Sequence, residues 1–232
     1  MLILGIDTAT QQVGCAIGGH EGVLASAHSS RGKRHAETLT PAIDFVRRQA
    51  RIELSEISVV AVDLGPGLFT GLRVGIASAK AIAHALRVPM IGVTSLDLVA
   101  FPVRFSHRLI VAAIDARRGE LYYAFYRQVP GGVQRLSEPE LGSPDDLASE
   151  IIARGEECLL VGDGALRYEA MFSGLSKVDL AEQDLAYPRA TSLVQLAHAR
   201  ALREDWVAPW DLEPLYLRAP DAEINWSTRD SA

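Results

Sequence analysis

The run Gly65-Pro66-Gly67-Leu68-Phe69-Thr70-Gly71-Leu72-Arg73-Val74-Gly75 constrains this chain more than any other stretch. It stands between an apolar strand-like segment, Val59 to Leu64, and an alanine-rich helical segment. A strand that ends in Gly-Pro-Gly must turn sharply, because glycine admits positive φ and proline fixes its own. Thr70 is placed to cap the helix that follows. The free N–H groups of that helix would then favour an anion in the turn. The same spacing also fits a plain strand-to-helix connection in which small residues let two backbones pack closely. It is not a Walker P-loop: no Gly-Lys-Ser/Thr follows at the required spacing, and Lys80 lies deep in the helix.

Function classes are narrowed by charge and cysteine usage. The 232 residues carry a formal net charge of −6, which speaks against unaided grip on a nucleic-acid backbone. The basic groups Arg31, Lys33, Arg34 and Arg47, Arg48, Arg51 read as solvated faces. Cys15 and Cys158 are far apart, in apolar runs and outside any Cys-x-x-Cys spacing, so they read as buried thiols in a reducing compartment. The first residues lack a basic leader pattern, and no apolar run approaches the ~20 residues that span a bilayer. The expectation is a cytoplasmic protein with no membrane contact.

Periodicity gives the organisation. Leu2–Asp7, Val13–Gly18 and Val23–Ser29 are three β-like runs separated by turn chemistry. Residues 35–51 carry apolar positions at helical spacing, with Pro41 expected in or near the first turn. A strand at Val59–Asp63, the glycine turn, a helix and a strand at Met90–Val93 complete the order βββαβαβ. The pattern then restarts: strands at Leu109–Asp115, Glu120–Arg127 and Val133–Leu136, a helix opened by Ser143-Pro144-Asp145-Asp146, a strand at Cys158–Val161, a Gly162-Asp163-Gly164 turn, and helices at Ala165–Phe172 and about Thr191–Arg203. Two similar halves imply a duplicated α/β unit. The expected division is 1–103 and 104–232, with the C-terminal tail packing back on the first lobe.

Asp7 and Asp115 end the first strand of each half. Ligands gather outside the carboxyl ends of strands, so two such aspartates can face each other across a cleft, hold magnesium through water, or position a hydroxyl. Equally, each can simply cap its own turn. The six histidines form no His-x-x-x-His or His-Glu-x-x-His spacing, and no Gly-x-Ser-x-Gly offers a nucleophile, so a zinc, iron or serine-hydrolase site is not expected. The small residues Gly75, Ala77, Ser78, Ala79, Ala81, Ala83 and Ala85 leave one helix face smooth enough for close packing, within the domain or against another subunit.

The glycine-rich run resembles the hallmark of the bacterial TsaB (YeaZ) family, a subunit of the machinery that makes threonylcarbamoyladenosine on tRNA. Leu4-Gly5-Ile6-Asp7-Thr8-Ala9, His35 to Leu39, Asp115 to Tyr122, Val161 to Ala165 and Pro214 to Arg218 agree with it in order along the chain. The resemblance implies an actin-like fold of two ribonuclease-H-like lobes. It implies a non-catalytic scaffold that supports a TsaD-type catalytic paralogue, which transfers threonylcarbamoyl to N6 of adenosine 37 in tRNAs reading codons beginning with A. Where that paralogue has iron-binding histidines this chain has Ser95 and Val99, so neither a metal nor catalysis is expected. The nucleotide positions it implies are Asp7, Thr8, Asp115, Gly162, Asp163 and Gly164. Asp163 replaces a glycine there, which weakens ATP binding and leaves ATP or ADP only at a complex interface. The implied docking face is Leu39, Ile43, Val46, Leu72, Gly75, Ile76, Ala79 and Ala83, on two helices. The paralogue docks there as a heterodimer, or a second copy pairs there as a homodimer. A TsaE-type ATPase joins the larger complex, and tRNA contacts it only indirectly. A competing expectation is a self-sufficient Mg-ATP-dependent kinase or ATPase using Asp7 and Asp115.

Overall fold

The protein is described by a computed structural model that covers residues 1–30 and 34–218. Arg31 and Lys33 of the first basic group, and the chain beyond Arg218, lie outside the described residues.

β1 (Leu2–Asp7), β2 (Val13–Gly19) and β3 (Gly22–Ser29) form an antiparallel meander. The helix α1 (His35–Ala50) leads to β4 (Ile57–Asp63), and α2 (Phe69–Leu86) to β5 (Met90–Val93). β4 runs parallel to β1 and β5 to β4, so the sheet order is β3-β2-β1-β4-β5. Parallel neighbours require a crossover, which α2 supplies.

After α3 (Ser95–Ala100) the scheme recurs. β6 (Leu109–Arg117), β7 (Glu120–Val129) and β8 (Gly132–Arg135) are a second meander, with β9 (Glu140–Gly142) paired to β7. The helix α4 (Pro144–Arg154) leads to β10 (Cys158–Val161), parallel to β6. Two short helices, α5 (Asp163–Arg167) and α6 (Glu169–Phe172), lead to β11 (Val178–Leu180), parallel to β10. The order β8-β7-β6-β10-β11 repeats that of the first sheet. These are the two ribonuclease-H-like lobes of an actin-like fold.

Each sheet is covered on both faces, and one cover of each is exchanged. In the first lobe α1 and α2 bury Leu39, Val46 and Ile76 against Leu4, Ile6 and Val60. The opposite face, with Ile3, Val59 and Ile91, is covered by Leu193, Val194 and Ala197 of α7 (Ala190–Ala201), which follows the second sheet in sequence. In the second lobe α4 to α6 pack on one face. Leu96, Val99 and Ala100 of α3 close the other, against Ile110, Ala112 and Tyr126. Each buried Val, Leu or Ile side chain among these contributes about 1.5–3 kcal/mol.

Several expectations need correction. Pro41 sits inside α1, beyond its first turn, and is exposed. Thr70 does not cap α2, because the helix already begins at Phe69, with Leu68 as an uncapped N-cap. The helix expected at 165–172 is split at Tyr168, whose φ of −112° and ψ of 27° are not helical. The eight positions expected at a docking face are all turned inward: Leu39, Ile43, Val46, Leu72, Gly75, Ile76, Ala79 and Ala83 are buried in the first lobe's own packing. The apolar stripe that marks a helix face in sequence marks the face that meets the sheet, and the outer surface is read from what remains.

Candidate functional site

The same local device recurs at the ends of β1 and β4 and two residues before the end of β6. Asp7 accepts the N–H of Ala9 at 3.0 Å, Asp63 that of Gly65 at 2.8 Å and Asp115 that of Arg117 at 2.9 Å. Each is an aspartate bonded through Oδ1 to the amide two residues on, the turn-capping alternative for Asp7 and Asp115. The sequence reading did not single out Asp63; its place at the end of the strand before the glycine turn was the available signal.

Around these turns the glycines have a steric meaning. A Cβ on Gly67 would strike the Ala9 carbonyl, one on Gly71 the Thr8 carbonyl, and one on Gly75 the Thr8 hydroxyl. Spaced four apart, Gly67 in the turn before α2 and Gly71 and Gly75 on one face of the helix let the β1–β2 turn lie directly on them. Thr8 Oγ1 donates to the Gly71 carbonyl at 2.7 Å, and the Leu68 N–H donates to the Ala9 carbonyl at 2.7 Å. The glycine-rich run is therefore a close backbone contact, and protein backbone lies where the anion reading put a ligand. His35 adds a strut, its Nε2–H donating to the Thr10 carbonyl at 2.8 Å.

In the second lobe Gly162, at φ +117°, abuts the Ala113 carbonyl, and Gly164 abuts Leu121 and the backbone of β6. Asp163, between them, accepts the Asp115 N–H at 3.0 Å. Burial pushes its carboxyl up to about 6, against the lowering effect of that hydrogen bond. Asp115 is countered by two guanidinium groups, Arg117 at 3.1 Å and Arg167 at 3.2 Å.

Asp7 does not turn toward Asp115. Its carboxyl is fully buried and reaches Asp63, its neighbour across β1 and β4. Burial, and then the Asp63 charge, push Asp7 well above the usual carboxylate range. Burial also raises Asp63, to about 6, although the Ser95 hydroxyl donates to it at 2.6 Å.

Between the lobes Ala9, Thr10 and Leu68 meet Asp115, Arg117 and Asp163 around a cavity of about 10 Å³. That is the space of about one water. Larger hollows lie elsewhere. One of about 630 Å³ is bounded by Ser26, His28, Tyr187 and Arg189, and an apolar one of about 620 Å³ by His84, Pro89, Trp206 and Trp210. Among the described residues no three His, Cys, Asp or Glu side chains group as metal ligands do. Arg47 and Arg48 are taken up by ion pairs with Asp44, and Arg47 also by Glu53.

The Pro214 motif joins the lobes. Leu215 N–H donates to the Leu64 carbonyl at 2.8 Å, Tyr216 packs on Phe69 at 5.2 Å between ring centres, and Arg218 reaches the Ala116 carbonyl at 2.7 Å and the Glu120 carboxylate.

Residues 22–226 match a family described as TsaD, tRNA N6-adenosine threonylcarbamoyltransferase. The tRNA threonylcarbamoyladenosine biosynthesis protein TsaB of Haemophilus influenzae is 28% identical over 97% of this chain and 96% of its own length. The YeaZ structure from Pseudomonas aeruginosa superposes with a TM-score of 0.76 at 26% identity, over 93% of this chain and 99% of that one. The chain belongs to the TsaB (YeaZ) family. An uncharacterised Mycobacterium leprae protein is 38% identical over 96% of this chain, which spans 56% of that relative's length. TsaB proteins take part in threonylcarbamoyladenosine biosynthesis, and this chain is a TsaB-family member with the actin-like fold. No helix among the described residues is long and apolar enough to cross a membrane.

Proposed function

We propose that this protein is a non-catalytic scaffold of the threonylcarbamoyladenosine machinery and acts by docking onto a TsaD-type catalytic paralogue. The observation that carries the reading is the interlobe cavity of about 10 Å³. A nucleotide needs several hundred Å³. The residues around it do not fit Mg-ATP either: Asp163 fills the glycine position with a buried carboxyl, and Asp115 is already held by Arg117 and Arg167. Among the described residues the kinase-like alternative therefore finds no nucleotide-sized space in the cleft, and a nucleotide is confined to an interface formed with partners, including a TsaE-type ATPase. The net charge of −6 agrees with tRNA being held by other subunits.

The docking face is the outer side of α1 and α2. Phe45 is 50% exposed there, and Ala77, Ala81 and Ala85 are exposed at successive turns of α2. Alanines on a solvent face permit a partner helix to approach closely. Ala77→Arg and Ala81→Arg should each leave the circular dichroism of the protein unchanged, abolish co-purification with the paralogue, and remove threonylcarbamoyl transfer from the reconstituted system. Ala79→Trp should instead unfold the first lobe, because Ala79 is fully buried. Full complex formation by both arginine variants would refute this docking face. Micromolar ATP binding with steady hydrolysis by the isolated chain would refute the scaffold reading.

A further inference from the structure

Asp7 and Asp63 end adjacent parallel strands, where Ile6 and Val62 are partners, and both carboxyls are shielded from solvent, at 0% and 2% exposure. Each has one oxygen accounted for. Oδ1 of Asp7 takes the Ala9 N–H, and Oδ1 of Asp63 takes the Gly65 N–H and the Ser95 hydroxyl. The two Oδ2 atoms are fully buried, and neither receives a proton from any N–H or O–H donor. The two carboxyls stand side by side at the ends of neighbouring parallel strands, and the charge of Asp63 acts on Asp7. Two ionised carboxylates in that position would repel at short range with no water to screen them, and each would leave a buried acceptor orphaned. A single proton removes both problems, since a carboxylic acid donates one bond and the second carboxylate accepts it.

We infer that Asp7 and Asp63 share one proton between their Oδ2 atoms, and that this proton is a latch holding the β1–β2 turn and the glycine turn together as the floor of the interlobe cleft. The Ala9 and Gly65 amides hang on the outer oxygens of the same pair, so each turn is tied to the latch by one residue. Ala9, Gly67 and Leu68 in those turns line the small cavity. Loss of the proton sets two buried charges against each other, drives the turns apart and opens the first-lobe side of the cleft.

Surrounding groups do not supply a substitute. From α3, Asp97 adds a like charge to Asp63, and its own carboxylate accepts the Tyr126 hydroxyl at 2.9 Å. From α1, His35 is committed to the Thr10 carbonyl. The α2 residues against the turn are glycines, and Cys15 on β2 is pushed up to about 12 by burial. Across the cleft Arg117 is engaged by Asp115.

Asp7→Asn tests the latch, because an amide nitrogen in place of the protonated oxygen donates to Asp63 at every pH. In the wild-type protein the folded state should show a carboxylic-acid infrared band at neutral pH that Asp7→Asn removes. Amide exchange at Ala9 and Gly65, corrected for the intrinsic pH effect, should lose protection at least tenfold as pH rises from neutral into the alkaline range in the wild type and stay constant in Asp7→Asn. Both measurements are to be repeated in an Asp163→Asn background, which removes the other raised carboxyl. Should Asp7→Asn fail to fold, Asp63→Asn makes the same exchange in the opposite sense and is read by the same amides. Absence of the acid band in folded wild type, or equal loss of protection in wild type and variant, overturns the inference.

Discussion

The two lobes share one topology and one strand-end turn but neutralise their aspartates by opposite means. In the second lobe Asp115 is met by Arg117 and Arg167 at the cleft, with water in reach of both guanidinium groups, which are 43% and 50% exposed. In the first lobe Asp7 is met by a second carboxyl, under glycine-packed backbone where no arginine could fit. The difference follows from the surroundings. A buried carboxylate beside solvent-reaching guanidinium groups keeps its charge, as Asp115 does with its side chain 5% exposed, whereas one sealed among backbone and a second carboxyl keeps a proton. A duplicated backbone therefore does not duplicate its chemistry.

The sharpest way to break the comparison is steric. Gly71→Val places a β-branched side chain on the Thr8 carbonyl and should cost about 3 kcal/mol or more, read as a fall in the urea midpoint. Gly164→Val should cost a similar amount through Ala113, Ile114 and Leu121. A tolerated valine at either site would show that the glycines are not the reason the turns pack so closely.

Electrostatic change should matter less. Arg117→Ala combined with Arg167→Ala leaves Asp115 without a cation, so the urea midpoint should fall at neutral pH. The same pair of changes should leave the exchange of Ala9 and Gly65 unaltered. If those first-lobe amides respond, the two lobes are not electrostatically separate.

The smallest effect is expected from Asp163→Asn. Burial holds the Asp163 carboxyl at about 6, above its unfolded value, so the folded protein keeps a proton that the unfolded chain releases. Its contribution is complete below about pH 4 and is lost as pH rises through about 6. An asparagine keeps an acceptor for the Asp115 N–H and should flatten the stability profile over that window. A profile as steep as that of the wild type would place the titrating group elsewhere.

Much of the architecture was legible because periodicity and turn residues are local. The meander strands, α1, α2 and the repeat of the scheme after residue 108 all follow from spacing within about 20 residues. What escaped was fixed by distant partners. β11 is a three-residue edge strand that exists through its pairing with β10. α3 is six residues long, too short for a periodic signal, and is held by the second sheet. The site divides in the same way. Asp7, Asp115 and the glycine turns were visible as strand endings, but the pairing of Asp7 with Asp63 depends on strand register, which no local pattern encodes. The inward orientation of Ala79 against the outward one of Ala77 was likewise settled only by the position of the sheet.

The exchanged helices set a timetable for a chain made from its N-terminus. The strands of the first lobe emerge from the ribosome by residue 93, yet the apolar face carrying Ile3, Val59 and Ile91 gains its cover only when α7 has been made, through Ala201. For more than a hundred residues of synthesis that face has Leu98 of α3 against it but lacks the cover of α7. A nascent chain stalled before residue 190 should therefore carry a sticky, unfinished sheet, and the first half of the protein cannot mature ahead of the second.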